Sequence, residues 1–362
     1  MKTPDVRRFA MAAGLLVLAP MCAEYVTGYD DSTGDPFVLA VSLLIFSPLY
    51  GAPALLIRET ARRLDVRWPG ILALTAAFGV LQAGVIDQSM FSEGYRDIPY
   101  WEEMVRPTYV APLGLAAYTT LSFVAGHAIW SFGVPIALTE ALSPRLSRTP
   151  WLRTPGLVTA AALYLAAAAI VLRDHLRTEH DHATAAQIGG SLAVVALLVL
   201  VALTSAARRR RRPEPPAPSA GTPPRPVVVA VGGLVAGLAF NFLPSTWAGV
   251  AAGLAVIALC AAVAGRLSRS AGWTGRHVAA LAAGALTARV AVGFLVVPLG
   301  DVAPVAKYAH NVAFLAGAVL LGVLATRRRG TAGSHDKELR NIGTETGGKP
   351  GVKPGGPGGP PD

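Results

Sequence analysis

The chain has 362 residues, 52% of them hydrophobic and only 15% charged, with a mean hydropathy of +0.47. Soluble domains carry about 25% charged residues, so this much apolar surface does not fit inside one soluble core. The 32 Lys and Arg exceed the 22 Asp and Glu to give a net charge of +10. They sit in short clusters between apolar runs, the pattern of cytoplasmic loops, which excludes a nucleic-acid-binding surface.

Ten apolar runs follow one another, at about 8–27, 37–57, 70–90, 111–140, 155–172, 187–207, 226–243, 247–265, 276–297 and 304–326. Each is close to the length that crosses a bilayer as helix, and in lipid only a helix or a closed barrel satisfies its own backbone. The expected fold is therefore all-α, a polytopic transmembrane helical bundle of about ten passes. The first run follows Lys2, Arg7 and Arg8 in "MKTPDVRRFAMAAGLLVLAPMCAEY" and resembles a signal peptide. Met21 at the −3 position makes a poor cleavage site, so an uncleaved first helix is expected. It carries Glu24 near its outer end.

In the second run Pro48 and Pro53 bracket Gly51. A proline has no N–H, so the carbonyls of Leu44 and Leu49 lose their helical partners, and broken helices at membrane depth often line a substrate path. The run ends in "RETARR", where Glu59 can pair with Arg62 or Arg63 at helical spacing; an ion pair at the surface of a basic loop is the expectation. The third run carries Gln82 near its middle and Asp87 near its outer end. The following loop, "FSEGYRDIPYWEEMVRPTY" (91–109), is acidic and aromatic. Pro99 and the residues after it suit a short helix, either lying in the headgroup layer or covering a pocket.

The fourth run holds His127 at mid-depth, with Ser131 four residues on and Pro135 freeing the Ser131 carbonyl. Polar groups in hydrocarbon are costly unless they face the bundle or a wet cavity. The loop "RDHLRTEHDH" (173–182) has His175, His180 and His182. In helical form His175, Glu179 and His182 fall on one face, a zinc-binding set, and in extended form His180 and His182 share a side; a solvated loop is the competing reading. No other cofactor is expected: there is no Walker loop, dinucleotide fingerprint or haem-attachment motif.

"RRRRRPEPPAPSAGTPPRP" and the Gly/Pro-rich tail read as disordered. They divide the chain into a six-pass part (1–207), a basic, Pro-rich cytoplasmic linker (208–226), a four-pass part (227–329) and a cytoplasmic tail (330–362). The linker's run from Arg208 to Arg212 suits anionic lipid headgroups. Within the four-pass part Arg289 is a charge at membrane depth, and His310 with Asn311 enters from the outside. Such an Arg costs roughly 2.5–3.5 kcal/mol at the bilayer centre; a carboxylate or carbonyls should meet it, with Asp87 or Glu24 the candidate acid. With the N-terminus placed inside, every inner loop is more basic than its outer neighbours. This gives a plasma-membrane protein with both termini cytoplasmic. Cys22 and Cys260 lie in apolar segments and read as small buried hydrophobes.

Glu24, Gln82, Asp87, His127, Ser131, Arg289 and His310 are thus the expected lining of an intramembrane polar pocket. Two resemblances extend the reading. "FVAGH" (Phe123, His127) and "ETARR" (Glu59, Arg63) resemble motifs of the CPBP family, relatives of the CAAX prenyl proteases. That likeness implies a helical intramembrane hydrolase with Glu59 and His127 as catalytic groups. Arg58 stands where that family has its first Glu, so the implied hydrolase is a degenerate one. "LYGAPALLIRETARR", "FGVLQAG" and "GHAIWSFGVPIALTEAL" resemble an uncharacterised group of bacterial multi-pass membrane proteins, which implies the bacterial plasma membrane and no activity. Three function classes follow: a transporter or permease, favoured by the interrupted helices; the hydrolase; and a non-catalytic membrane scaffold.

Overall fold

The structure is a computed structural model that describes residues 3–210 and 221–327, with side chains over 5–207 and 221–327. Most of the linker and the tail, with their expected disorder, lie outside the described residues, as do the side chains of Arg208 to Arg212. The helices are α1 (Asp5–Tyr25), α2 (Pro36–Leu64), α3 (Trp68–Ile86), the short α4 (Trp101–Val105), α5 (Ala117–Leu142), α6 (Thr154–Thr178), α7 (Ala185–Ala207), α8 (Pro226–Asn241), α9 (Trp247–Leu267), α10 (Gly275–Gly293) and α11 (Pro304–Arg327). A ribbon of two strands, β1 (Tyr109–Val110) and β2 (Leu115–Ala116), precedes α5.

Local chemistry sets the helix starts. Asp35 accepts from the backbone N–H of Phe37 and Val38 with Pro36 in the first turn of α2, satisfying donors that have no helical partner. Thr246 caps α9 through the N–H of Gly249. Thr274 and His277 form a reciprocal capping box at α10.

Eight of these helices are long and apolar enough to cross a membrane. The two remaining expected passes do form helices, but differ in kind. α8 is apolar and has only 16 residues, about 24 Å of rise. α10 contains Arg276, His277 and Arg289 among Ala and Gly, and so is less apolar than the other spans.

Two apolar clusters form the core, and α1 and α5 contribute to both. On one side Leu15 of α1 and Phe132 and Ile136 of α5 pack with α2, α3, α6 and α7. On the other side Val26, Trp130 and Leu138 pack with α8, α10 and α11. The seam is dense: 61% of the apolar stretch of α3 and of α5 is buried, against 17%, 11% and 17% for α6, α7 and α9. The latter three present rows of Leu and Val outward, among them Leu192, Leu197 and Leu200 on α7, as lipid-facing helices do.

The contact of α8 with α10 rests on glycine. A Cβ at Gly284 would overlap the Ala230 carbonyl oxygen, and one at Gly233 would overlap the Leu281 carbonyl oxygen. Small residues let two backbones approach where lipid supplies no hydrophobic drive.

Candidate functional site

The interruptions in the long helices are wide turns in which the backbone bonds run from i to i+5. They occupy Met21–Tyr25 in α1, Ser47–Gly51 in α2, Gln82–Ile86 in α3 and His127–Gly133 in α5. Proline accounts for three of them. Pro20 precedes the first, Pro48 lies within the second, and Pro135 follows the fourth, where its ring would otherwise meet the Ser131 carbonyl. Each such proline also leaves a carbonyl four residues back without its usual helical donor. One freed by Pro20, that of Leu16, points at Gly51, where any Cβ would overlap it; the glycine leaves room for the neighbouring helix's oxygen.

These four turns gather polar residues into one layer. Glu24 accepts from the hydroxyls of Tyr29 and Tyr50. The Tyr50 ring stacks on His127, with centroids 5.9 Å apart at 25°, and His127 Nδ1 lies 3.2 Å from Ser131 Oγ. Asp87 accepts from Gln82 Nε2 at 3.2 Å and from the Ser89 N–H at 3.0 Å. Its charge reaches Tyr50, His127 and Glu24. Burial, and then the Glu24 carboxylate beside it, push the Tyr29 phenol well above the usual tyrosine range. Glu24, Tyr29, Asp87 and His127 are only half-buried, although Glu24, Tyr29 and His127 lie deep among protein atoms. Partly exposed polar side chains at that depth make this layer the candidate chamber.

Arg289 borders this layer but does not make the expected ion pair. Its Nη1 donates to Asn241 Oδ1 at 2.6 Å, and its guanidinium sits 5.3 Å from the Trp130 ring centroid. Glu24 and Tyr29 lie within its electrostatic reach. Trp130 is itself fixed by donating Nε1–H to the Ala285 carbonyl at 2.9 Å.

His310 does not line the chamber. Its Nδ1 takes the Gly34 N–H at 3.3 Å, so Nε2 is the donor to the Tyr25 carbonyl, at 2.7 Å. Both ring nitrogens are spent on locking the loop that carries Tyr29, whose glycines Gly28 and Gly34 have positive φ.

Loops pack on one another beside Asp87 at one end of the bundle. Trp101 of α4 is 4% exposed, stacks on Phe123 at 5.7 Å and donates to the Ser92 carbonyl. Ala183 N–H donates to Gln88 Oε1 at 2.6 Å, and Arg96 N–H to Glu179 Oε2 at 3.0 Å. The condition for the zinc set is not met, because α6 ends at Thr178 and Glu179 is extended. His175 packs against Tyr95 and His182. No group of three or more His, Cys, Asp or Glu among the described residues is placed to hold a metal ion.

The basic end differs from expectation. Glu59 is fully buried, not a surface residue, and so is Arg58. Arg58 Nη1 meets Glu59 Oε1 at 2.6 Å and its Nε meets Glu140 Oε1 at 3.1 Å. Its Nη2 donates to the carbonyls of Leu146 and Ser147 at 3.0 and 3.1 Å, and its plane covers Trp151 at 3.6 Å. Arg62 holds Glu140 from the other side at 2.7 and 2.5 Å. Glu59 is completed by the N–H groups of Trp151 and Leu152 and by Arg63. This network staples the 143–152 loop to α2 and α5. Glu59 therefore sits some 13 Å of helix rise beyond Tyr50, the residue that stacks on His127; the pair implied by the hydrolase resemblance occupies two separate layers.

The sequence reading missed the tyrosines of the chamber and the Arg58–Glu140 link. A signal for the link was present: Glu140 and Arg58 are charges at the same basic edge of two apolar runs.

No curated protein and no solved structure matches the chain. A family model does match residues 15–342, spanning every wide turn and the whole stapled end, and the chain thereby belongs to an uncharacterized membrane protein family.

Proposed function

We propose that this integral membrane protein is permease-like, holding a small solute in the chamber between a loop-covered end and an ion-stapled end. The observation that carries the reading is the convergence of four wide turns from four spanning helices on one layer with enclosed, half-buried Glu24 and His127. Wide turns inside α-helices recur at functional sites, and ionisable residues inside a membrane mark substrate and ion paths. In this reading the protein lies in the bacterial plasma membrane with both termini inside.

The test is labelling of single cysteines along residues 121–135, in a variant lacking Cys22 and Cys260, with a membrane-impermeant thiol reagent. Positions on the His127–Ser131 face should react from one side of the membrane, and those facing lipid should not. Uniform silence along that face refutes a water-accessible chamber. Alkaline phosphatase fused near residue 100 should be active and fused at 215 silent; the reverse overturns the orientation.

A further inference from the structure

Arg289 carries more donors than the protein uses. Its Nη1 meets Asn241 Oδ1 at 2.6 Å, and the Asn241 amide is itself held by Nδ2 donating to the Gly237 carbonyl at 2.8 Å. Among the described residues no acceptor meets Nε or Nη2 of Arg289. Enclosed side-chain nitrogens without a partner occur elsewhere, in Arg8 and His175; the two of Arg289 are not enclosed, and the residue is half-buried. The unused edge of the guanidinium therefore borders open space.

Packing places this edge beside the candidate chamber. Trp130, in the wide turn His127–Gly133 of α5, lies with its ring centroid 5.3 Å from the guanidinium. It donates to the Ala285 carbonyl at 2.9 Å, one turn before Arg289 and on the same face of α10. One turn after Arg289, Gly293 packs on the Val26 and Thr27 carbonyls, where a Cβ would stand 3.2 and 2.9 Å from the two oxygens. That is the end of α1 that carries Glu24. Glu24 itself is turned to the hydroxyls of Tyr29 and Tyr50. The guanidinium is thus fixed at Nη1 by Asn241 and over one face by Trp130. A cation taken out of water without a counter-charge in contact is costly. The Nε and Nη2 donors point in parallel, the spacing that a carboxylate matches with its two oxygens.

We propose that the Nε–Nη2 edge of Arg289 binds the carboxylate of a small monocarboxylate solute in the chamber. One guanidinium balances one negative charge, whereas a phosphate dianion calls for a second cation. Lys307 on α11 is turned to the Phe294 carbonyl at 3.2 Å, and Arg96 in the loops is engaged with Asp174 at 3.7 Å. Asn241 and Trp130 are positioning residues: they hold the fork in place before the solute arrives, so little side-chain freedom is lost on binding. The proposal rests on the permease reading and names its substrate class.

The experiment is modification of the full-length protein by phenylglyoxal, a small uncharged dicarbonyl that condenses with accessible guanidinium groups. It is run in phosphatidylcholine nanodiscs at fixed ionic strength, and the reaction at Arg289 is followed by peptide mass spectrometry. Arg289 should react. Acetate or benzoate should slow that reaction saturably, by at least about tenfold when the site is filled, and chloride and inorganic phosphate should not. In Asn241→Asp a tethered carboxylate takes the guanidinium instead. The reaction should then be slow from the start, added acetate should have no further effect, and the apparent melting temperature should be unchanged or raised. The wild-type measurements decide alone where this variant does not fold. An unreactive Arg289, no protection by either carboxylate, equal protection by chloride or phosphate, or undiminished acetate protection in Asn241→Asp overturns the proposal. If residues 121–135 label from one side and neither carboxylate protects Arg289, the chamber stands and the carboxylate site falls.

Discussion

Arg58→Met is the sharpest perturbation of the stapled end. The substitution keeps the apolar stem and deletes five donors. Glu59 retains Arg63 and the N–H groups of Trp151 and Leu152, and Glu140 retains Arg62. Neither acid is stranded. What is lost is the donor to the Ser147 carbonyl, one of several donors to the Leu146 carbonyl, the cation over Trp151, and two close charge contacts. An unsatisfied buried acceptor costs about 1–3 kcal/mol, and a desolvated cation–π contact about 2 kcal/mol. The expected loss is about 3–5 kcal/mol. Arg58→Lys keeps the charge without the planar fork and should fall between the variant and wild type. The control is Arg106→Ala, which breaks an ion pair whose side chains are 81% and 73% exposed and should cost about 0–1 kcal/mol. The assay is detergent-titrated unfolding followed by tryptophan fluorescence, together with limited proteolysis of the 143–152 loop, which should be cut faster in Arg58→Met. If Arg58→Met proves as mild as Arg106→Ala, the buried network is not what holds this end.

Two further outcomes follow from the geometry. Tyr29 has its phenol pKa raised by burial and by Glu24, so its bond contributes stability that is fully present below the unfolded value of about 10. That stability is lost as pH rises through the higher folded value; between pH ~9 and ~12 the melting temperature of Tyr29→Phe should fall less steeply than that of wild type, and parallel curves would remove the Glu24–Tyr29 bond from the account. Gly284→Val forces a side chain into the Ala230 carbonyl and should destabilise the α8–α10 contact by about 1–3 kcal/mol, whereas Gly232→Ala, with open space at its Cβ, should be near neutral; equal behaviour of the two would deny the close glycine packing.

Individual residues show where sequence patterning stopped being sufficient. Pro48 and Pro135 announced helix interruptions, because the missing N–H is a covalent property that no packing can restore. Gln82–Ile86 carries no proline, yet it widens in the same way, and nothing local signalled it. His127 and Ser131 were legible as a pair because i and i+4 share a face. Tyr50 against His127 was not, because the contact joins α2 to α5. His310 was expected inside the pocket from its depth alone; depth says nothing about rotation, and its ring instead closes on Tyr25 and Gly34.

Membrane insertion was determined by the residues themselves, since transfer of a twenty-residue apolar helix into lipid depends on composition and length and needs no partner. The same is true of helix starts set by Asp35, Thr246 and Thr274 with the N–H groups just beyond them. Which charges meet was decided only by the tertiary structure. Arg58 and Glu140 are 82 residues apart in the chain and 3.1 Å apart in space, and Arg289 met Asn241 in place of either acid. In a bundle the azimuth of each helix and its neighbours are fixed by packing small residues and matching buried polar groups across helices. That information is pairwise, and no single run of sequence contains it.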